Sequence, residues 1–464
     1  MNLHIIILAA GQGKRMYSNA PKVLHQIAGK PMLARVVETA QQLNPTAIHV
    51  IYGHGGEQIK QSLPDLPVHW VHQAEQLGTG HAVMQALPHI PLQAQVLVLS
   101  ADVPLIQVNT LKALVECSKT TDTHQSVLAL LVACLDDPTG LGRIIRNNQG
   151  EVSAIVEEKD ANEQEKNVKE IYTGICCAET ADLAKWLPLL SNENAQNEYY
   201  LTDIIAKAVS GKTAIKTLLT QDVMETCGVN NRLQLHELER VWQVREAKRL
   251  MLQGIGIADA QRIDVRGELL CGKDVFIDVN CVFQGKVVLG DGCIIGPNCV
   301  LSDVSVGANT EIFANSFLEG CHIGEACTIG PFARLRKGTQ LAAHCKIGNF
   351  VETKNAIFDE GSKASHLSYL GDVILGKKVN IGAGTITCNY DGVNKHKTVI
   401  EDEVFIGSDT QLVAPVTVGA RATIGAGSTI RKNVPSEELT LTVSQQKTVY
   451  GWKRPVKKKG DSKA

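Results

Sequence analysis

Two periodicities divide the chain. Up to about residue 230, short apolar runs at 5–8, 47–52, 96–100 and 127–132 alternate with helical patterns such as 32–43 and 79–87, and with glycine loops. Buried strands joined by helical crossovers predict a mostly parallel sheet covered on both faces, with ligands at the carboxyl ends of the strands. Residues 231–252 then lack Gly and Pro, and Leu238, Val241, Trp242, Arg245 and Arg249 recur at helical spacing. This predicts one helix ending before Gly254. The domains expected are 1–232, a helical linker at 233–253, and 254–464.

From Val265 the period becomes six. Val265, Cys271, Ile277, Phe283, Leu289, Ile295 and Leu301 are evenly spaced, and the pattern restarts at Val306, Ile323, Leu375 and Ile400. Glycine often follows the aliphatic residue, as at Gly290, Gly296, Gly324 and Gly407. Four places after it stands something small or β-branched, such as Cys293, Cys299, Thr310, Cys327, Cys345, Val379 or Ser428. Hexads of this kind predict a parallel β-helix in which each hexad is a short strand plus a turn and three hexads make a coil. Two stretches interrupt them, 350–371 and 388–397, and both are expected as loops on the face of the solenoid.

Composition narrows the function. The formal net charge is -2, against nucleic acid or an anionic membrane as partner. No apolar run reaches the length of a membrane span, and the amino terminus lacks the shape of a signal peptide. A cytoplasmic protein is expected, with its 13 cysteines as reduced thiols. Low aromatic content (4%) suits a narrow β-helix interior. The basic tail at Lys453, Arg454, Lys457, Lys458, Lys459 and Lys463 reads as solvated and disordered.

Candidate chemistry opens with AAGQGKRM after the first strand, followed by Pro21-Lys22-Val23-Leu24. Gly11 and Gly13 let backbone N–H groups approach phosphates, and Arg15 and Lys22 flank that loop. QAEQLGTGHA (residues 73–82) supplies a Gly-Thr-Gly loop opening a helix, suited to a base or a phosphate. The strand VLVLSADVPL ends in Asp102, a carboxylate placed to hold magnesium between phosphates.

These motifs resemble those of sugar-nucleotide pyrophosphorylases. With the helix and the hexads, the whole chain resembles the bacterial family of bifunctional N-acetylglucosamine-1-phosphate uridyltransferases/glucosamine-1-phosphate N-acetyltransferases. The resemblance implies an α/β fold: a Rossmann-like nucleotidyltransferase domain, a linker helix and a left-handed parallel β-helix. It also implies that Leu8, Ala9, Ala10 and Gly11 hold the uridine end, that Lys22 and Arg15 meet the triphosphate, and that Gln73, Gly78 and Thr79 read uracil. Asp102 and Asn230 would bind Mg2+. Gly142, Glu157 and the 172–174 segment (Tyr172, Thr173, Gly174) would hold the sugar. Ser100-Ala101 stands where the family commonly has Tyr-Gly, Tyr172 replaces a sugar-contacting Asn, and Val443 replaces an Arg that contacts coenzyme A.

In the β-helix the resemblance implies that His366, in KASHLSYLGD, is the base for acyl transfer. Histidine suits a base near neutral pH, and an ammonium has no lone pair with which to attack a thioester. Arg336 and Lys354 would bind the sugar phosphate, and Tyr369 and Asn380 would position the sugar. Ala383, Asn389, Tyr390, Ser408, Ala426 and the Val443 position would line the acetyl-CoA groove, completed by neighbours in a homotrimer. UTP and acetyl-CoA would be the co-substrates, and the product would be UDP-N-acetylglucosamine for wall and lipopolysaccharide precursors. Two other readings stay open at this point. One is a monofunctional pyrophosphorylase whose β-helix is structural or regulatory; the other is a non-enzymatic scaffold.

Overall fold

The computed structural model describes residues 2–11, 13–53, 55–119 and 126–456. The chain forms two compact units, Met1–Gln253 with Asp259–Glu268, and Gly254–Ala258 with Leu269–Ala464.

The first unit is built on β1 (Leu3–Leu8), β2 (Ala47–Tyr52), β3 (His69–His72), β4 (Gln95–Ser100), β5 (Val127–Cys134), β6 (Arg143–Arg146), β7 (Val152–Val156), β8 (Glu170–Glu179) and β9 (Ala214–Leu219). The order across the sheet is β9-β5-β8-β4-β1-β2-β3, with β6 and β7 attached beside β8. The middle of the sheet is parallel, as the apolar runs predict, but β8 runs antiparallel to both β4 and β5. Both faces are buried. Ile6, Val96, Val98 and Leu130 pack into one apolar cluster, and Ile5, Ile7, Leu97 and Leu131 into another, which is why these strands read as continuous apolar runs. Order reverses at β1, which has β2 on one side and β4 on the other. That switch point opens a crevice at the strands' carboxyl ends.

Helices α1 (Met32–Gln41), α2 (Thr79–Ala86) and α3 (Val108–Cys117) cover the sheet, and α4 (Arg232–Leu252) follows it. The helix expected as a linker belongs to the first unit. Its Leu238 is buried among Met16, Ile27, Met32, Leu105 and Val229, and Leu235, Val241 and Trp242 pack against the same group. The Arg35 guanidinium lies 4.6 Å from the Trp242 ring centre. Buried Gln243 is satisfied by its neighbours. Its Oε1 accepts from the Val265 N–H at 2.8 Å and its Nε2 donates to the Val265 carbonyl at 3.0 Å, tying 259–268 to the helix. The hexad assigned to Val265 therefore starts inside the first unit.

The second unit is a prism of parallel strands. One face carries strands such as Phe276–Ile277, Lys363–His366, Asn380–Ile381 and Phe405–Ile406. The longer strands β10 (Glu352–Phe358) and β11 (Tyr369–Leu375) bend across the other two faces, so each pairs with different neighbours along its length. The aliphatic hexad residues point inward, Ile295, Leu301, Ile347 and Leu412 being fully buried, and so do the small residues four places on. Buried Cys293, Cys299, Cys327 and Cys345 act as small apolar groups, with burial raising the Cys293 and Cys299 thiol pKa values.

Only one of the two expected insertions is real. Neighbouring coils pair residues 17 apart at Lys363 and Asn380, but Asn380 pairs with Phe405, a step of 25 that contains 388–397. The 350–371 stretch is regular coil. Its hexads are hidden because Thr353 and Ala364 stand at the buried position that Leu335 and Ile347 fill one coil earlier, and because Thr353 to Phe358 and Leu370 to Leu375 are steps of five rather than six. His366 thus ends an ordinary strand. Of the basic tail, residues 457–464 lie outside the described residues. Among the described residues, no helix is long and apolar enough to cross a membrane.

Candidate functional site

The crevice of the first unit holds a cleft of about 260 Å³ lined by Leu8, Ala9, Ala10, Gly11, Lys22, Gln73, Gln76, Gly78, Thr79, Ser100, Asp102 and Glu198. Strand ends place these residues. The Ala9 N–H donates to the Ile51 carbonyl at 2.8 Å and the Ala101 N–H to the Leu8 carbonyl at 3.0 Å, so the chain leaves β1 held on both sides. A Cβ built on Gly11 would have no neighbour within 4 Å, leaving open cleft beside its backbone. At Gly13, φ is +60° and a Cβ would come within 2.7 Å of Lys22 Cβ, so glycine there lets Lys22 pack close.

Lys22 aims its ammonium at two oxygens. It forms an ion pair with Asp102 Oδ2 and donates to Asn230 Oδ1 at 3.3 Å. Ser100 Oγ donates to Asp102 Oδ1 at 2.7 Å, fixing the carboxylate. The Val229 N–H donates to the Asp102 carbonyl at 2.9 Å, which brings Asn230 alongside. Asn231 then caps α4, its side chain accepting from the Gln234 N–H. A carboxylate oxygen and an amide oxygen converging on one cation form a hard oxygen set. That set fits a magnesium ion, which takes one or two protein ligands and completes its shell with water and substrate phosphates.

Gln73 is buried and held by Nε2, which donates to the Gly78 carbonyl at 3.2 Å and meets His81 Nδ1 at 3.1 Å. A second group lies on β6–β8. The Tyr172 N–H donates to the Gly142 carbonyl at 2.9 Å, and the Thr202 hydroxyl donates to Glu157 Oε1 at 3.1 Å. Burial holds the Glu157 carboxyl above the usual carboxylate range; the Thr202 hydroxyl acts against this, and Asp203 and Asp160 reinforce it. The two groups are joined by a segment that pattern reading missed. Glu198 lines the cleft, the Tyr199 carbonyl accepts from the Gly80 N–H, the Leu201 N–H donates to Thr79 Oγ1, and Thr202 reaches Glu157.

Three expected contacts fall elsewhere. Arg15 is exposed on a single turn, Lys14–Met16, and is not in the cleft lining. Ala101 is fully buried in the apolar cluster behind β4. The Tyr172 ring is packed into the core with Ile155 and Ile144, because its position on β8 faces the helices. Beside it the pairing register slips between Tyr172 and Cys176, leaving Thr173 and Gly174 in a bulge. The Thr173 hydroxyl is taken up by the Leu131 carbonyl at 2.8 Å, whereas a Cβ on Gly174 would have no neighbour within 4 Å.

In the β-helix, His366 is exposed at the end of its strand, just before the corner at Leu367. Ala364 pairs with Ile381, so Ala383 stands beside His366 one coil on. The Asp409 N–H donates to the Ala383 carbonyl and the Gly427 N–H to the Ser408 carbonyl, which stacks Ala383, Ser408 and Ala426 on successive coils. Past the corner, Lys354 pairs with Gly371, and a Cβ there would meet the Tyr369 hydroxyl at 2.5 Å and Asn389 Nδ2 at 2.9 Å. Asn389 Nδ2 donates to Asp372 Oδ2 at 2.5 Å, and Arg336 Nη1 donates to Glu352 Oε1 at 2.8 Å. Lys395, from the insertion, lowers the Lys354 pKa, with Arg336 adding to the effect and Asp372 opposing it. Sequence reading named neither Lys395 nor Asp372. Asn380 stands on the other face beside Lys363 and Phe405, and Val443 is exposed beyond the last strand. Tyr390 is exposed on the insertion.

Comparison with known proteins agrees with this division. Residues 5–135 match the MobA-like NTP transferase domain, 265–344 the GMPPB C-terminal domain, and 397–432 the bacterial transferase hexapeptide (six repeats). The chain is 74% identical over 461 residues to the bifunctional protein GlmU of Legionella pneumophila (strain Lens), covering 99% of this chain and 100% of that one. It is 56% identical to the bifunctional protein GlmU of Marinobacter nauticus, covering 98% and 99%. It is 53% identical to that of Nitrosospira multiformis, covering 98% of each. Identity of this order along nearly the full length, with one fold for nucleotidyl transfer and another for acyl transfer, means that the chain belongs to the GlmU family and is a bifunctional uridyltransferase and glucosamine-1-phosphate acetyltransferase.

Proposed function

We propose that the cleft at β1 and β4 carries out uridylyl transfer and that the corner at His366 carries out acetyl transfer. In the first reaction a phosphate oxygen of N-acetylglucosamine-1-phosphate attacks the α-phosphorus of UTP. The new P–O bond forms as the bond to the pyrophosphate oxygen breaks. The chain supplies alignment and charge neutralisation rather than a covalent group. Gly11 and its neighbours present backbone N–H groups, Gln73, Gly78 and Thr79 frame the base, and Lys22 meets phosphate. Glu157 and Gly142 hold the sugar. Asp102 and Asn230 would hold magnesium, which when bound offsets the triphosphate's charge. The observation that carries this reading is the convergence of Asp102 and Asn230 on one cation, Lys22 Nζ, at the switch point.

In the second reaction the amine of glucosamine-1-phosphate attacks the thioester carbonyl of acetyl-CoA. His366 takes the amine proton and the coenzyme A thiolate leaves. Arg336, Lys354 and Lys395 receive the phosphate, Tyr369 and Asn389 the sugar, and the Ala383–Ser408–Ala426 column the acyl donor. Neighbouring subunits of a homotrimer complete this groove. The support is an apolar edge: Phe332, Phe350 and Leu367 occupy successive corners, all exposed, with the two rings stacked 5.4 Å apart. Light scattering should give about three times the 50.1 kDa chain mass. The reactions belong to the cytoplasm, where UTP and acetyl-CoA are supplied. Purified protein given glucosamine-1-phosphate, acetyl-CoA, UTP and magnesium should form UDP-N-acetylglucosamine, pyrophosphate and free coenzyme A. Omitting acetyl-CoA should stop the sequence unless N-acetylglucosamine-1-phosphate is added.

A further inference from the structure

The insertion at 388–397 is a short hairpin that has little apolar packing to hold it. Tyr390 and Val393 are 60% and 83% exposed, and Tyr390 bridges Lys395 across the hairpin. Its shape rests on polar bonds, and these converge on one carboxylate. Asp391 Oδ1 accepts from the Val393 N–H at 2.8 Å and the Asn394 N–H at 2.7 Å. Asp391 Oδ2 takes His396 Nε2 at 2.7 Å. The hairpin is closed by the His396 N–H donating to the Asn389 carbonyl at 2.8 Å, and Asn389 in turn is bound to Asp372. The His396 hydrogen bond, with the two backbone N–H groups, holds the Asp391 carboxyl well below the usual carboxylate range.

Lys395 lies between the two ends of this arrangement. Its chain neighbour His396 is tied to Asp391, and its cross-strand partner Tyr390 adjoins Asp391. The base of the hairpin lies beside Lys354: a Cβ on Gly371, which pairs with Lys354, would come within 2.9 Å of Asn389 Nδ2, and the next residue, Tyr390, bridges Lys395. The Lys395 charge correspondingly lowers the Lys354 pKa.

We propose that the Asp391–His396 pair is a positioning clasp of the acetyl-transfer site, folding the insertion so that Lys395 is delivered to the sugar-phosphate position beside Lys354. The pair touches no reacting atom and acts through Lys395. Being exposed, it adds little to global stability. Its effect is local: without the clasp, ordering the hairpin is a cost of each binding event.

The inference rests on the acetyl-transfer reading of this face, and the test separates the two. Steady-state acetyl transfer by the full-length protein is measured while glucosamine-1-phosphate is varied, for wild type, Asp391→Ala, His396→Ala and His396→Gln. Asp391→Ala should raise KM for the sugar phosphate roughly tenfold, the order expected for losing hydrogen bonds to a charged group, with kcat within about twofold. His396→Ala should raise KM less, and His396→Gln should restore it, since the amide nitrogen can donate to the same oxygen. Uridylyl transfer should stay at the wild-type rate in all three, as a control on folding. A wild-type KM in Asp391→Ala, or equal losses in His396→Ala and His396→Gln, overturns the clasp. If the wild-type protein itself shows no acetyl transfer, it is the reading of the face that fails.

Discussion

Lys22 and Asp102 form an ion pair across the mouth of the cleft, and the same ammonium reaches Asn230. The pair places a positive charge where two oxygen donors meet, at the point where a triphosphate would need neutralising. Asp102→Asn keeps the shape but removes the charge from the donor set. Uridylyl transfer should fall by at least about a hundredfold, while acetyl transfer is unchanged. Chelation of divalent ions should likewise silence the first activity only. Near-normal uridylyl transfer in Asp102→Asn would take this carboxylate out of the site.

For His366 the expected loss is in the other reaction. A positioned base contributes roughly 10²–10⁴-fold, so His366→Ala should lose acetyl transfer by that factor and keep uridylyl transfer. Raising the pH should recover part of the rate, because more of the amine then arrives unprotonated. Wild-type acetylation by the variant would return His366 to an exposed strand-end residue with no part in the chemistry.

Acid should destabilise the first unit through a histidine cluster remote from either reaction. His4 and His49 are buried on β1 and β2, with His4 Nδ1 3.1 Å from His49 Nε2. The rings of His69 and His89 stack over His49 at 5.5 and 6.5 Å. Burial, then the neighbouring imidazoles of His4, His69 and His89, pushes the His49 pKa down from 6.5 to about 4. Above pH 6.5 both folded and unfolded states hold His49 neutral, so it contributes no pH dependence. As the pH falls, the unfolded chain binds a proton that the folded chain refuses, and stability declines until about pH 4. The full effect is roughly 3 kcal/mol. Urea unfolding at several pH values, followed by the fluorescence of Trp70, Trp186 and Trp242, should show this slope, and His49→Phe should flatten it. An unchanged slope in the variant would place the acid sensitivity elsewhere.

The boundary between the units should follow packing rather than helix ends. A fragment ending at residue 232 would expose Met16, Ile27, Met32, Leu105 and Val229, which α4 covers. A fragment ending at 268 keeps α4 and the Gln243–Val265 bonds. We expect the longer fragment to make UDP-N-acetylglucosamine from N-acetylglucosamine-1-phosphate and to unfold at a clearly higher urea concentration than the shorter one. Equal midpoints would mean that α4 contributes nothing to the first unit.

Much of this architecture is legible in the chain because burial is periodic. One aliphatic residue per short strand, with a small residue four places on, is enough to announce a prism of coils. The same logic fails where the inward residue is polar or small and the step shortens: Thr353, Ala364 and two five-residue steps give a regular coil the look of an insertion. Lys22 and Asp102 are legible because a charge flanks a glycine loop or ends a strand, whereas Gln73 and Glu157 are expected only through the family resemblance. The 198–202 segment is not, since much of what it supplies is backbone, the Tyr199 carbonyl and the Leu201 N–H, which leaves no mark on residue type. The resemblance assigns Tyr172 and Ala101 by their place in a motif, whereas their side-chain direction is set by strand register.

The one long coil has an implication for how such a protein can change. Pairing leaves step at Asn380, skips the added residues, and resumes at Phe405 and Thr423 as though nothing had intervened. Each coil answers only to the coils above and below it, and closing a longer corner loop costs little more than closing a short one. Residues can therefore be gained, lost or exchanged at that corner while the stack beneath stays in register. The solenoid works as a rack with interchangeable fittings, in which the mouth of the proposed acetyl-transfer site can drift in size and charge without putting the fold at risk.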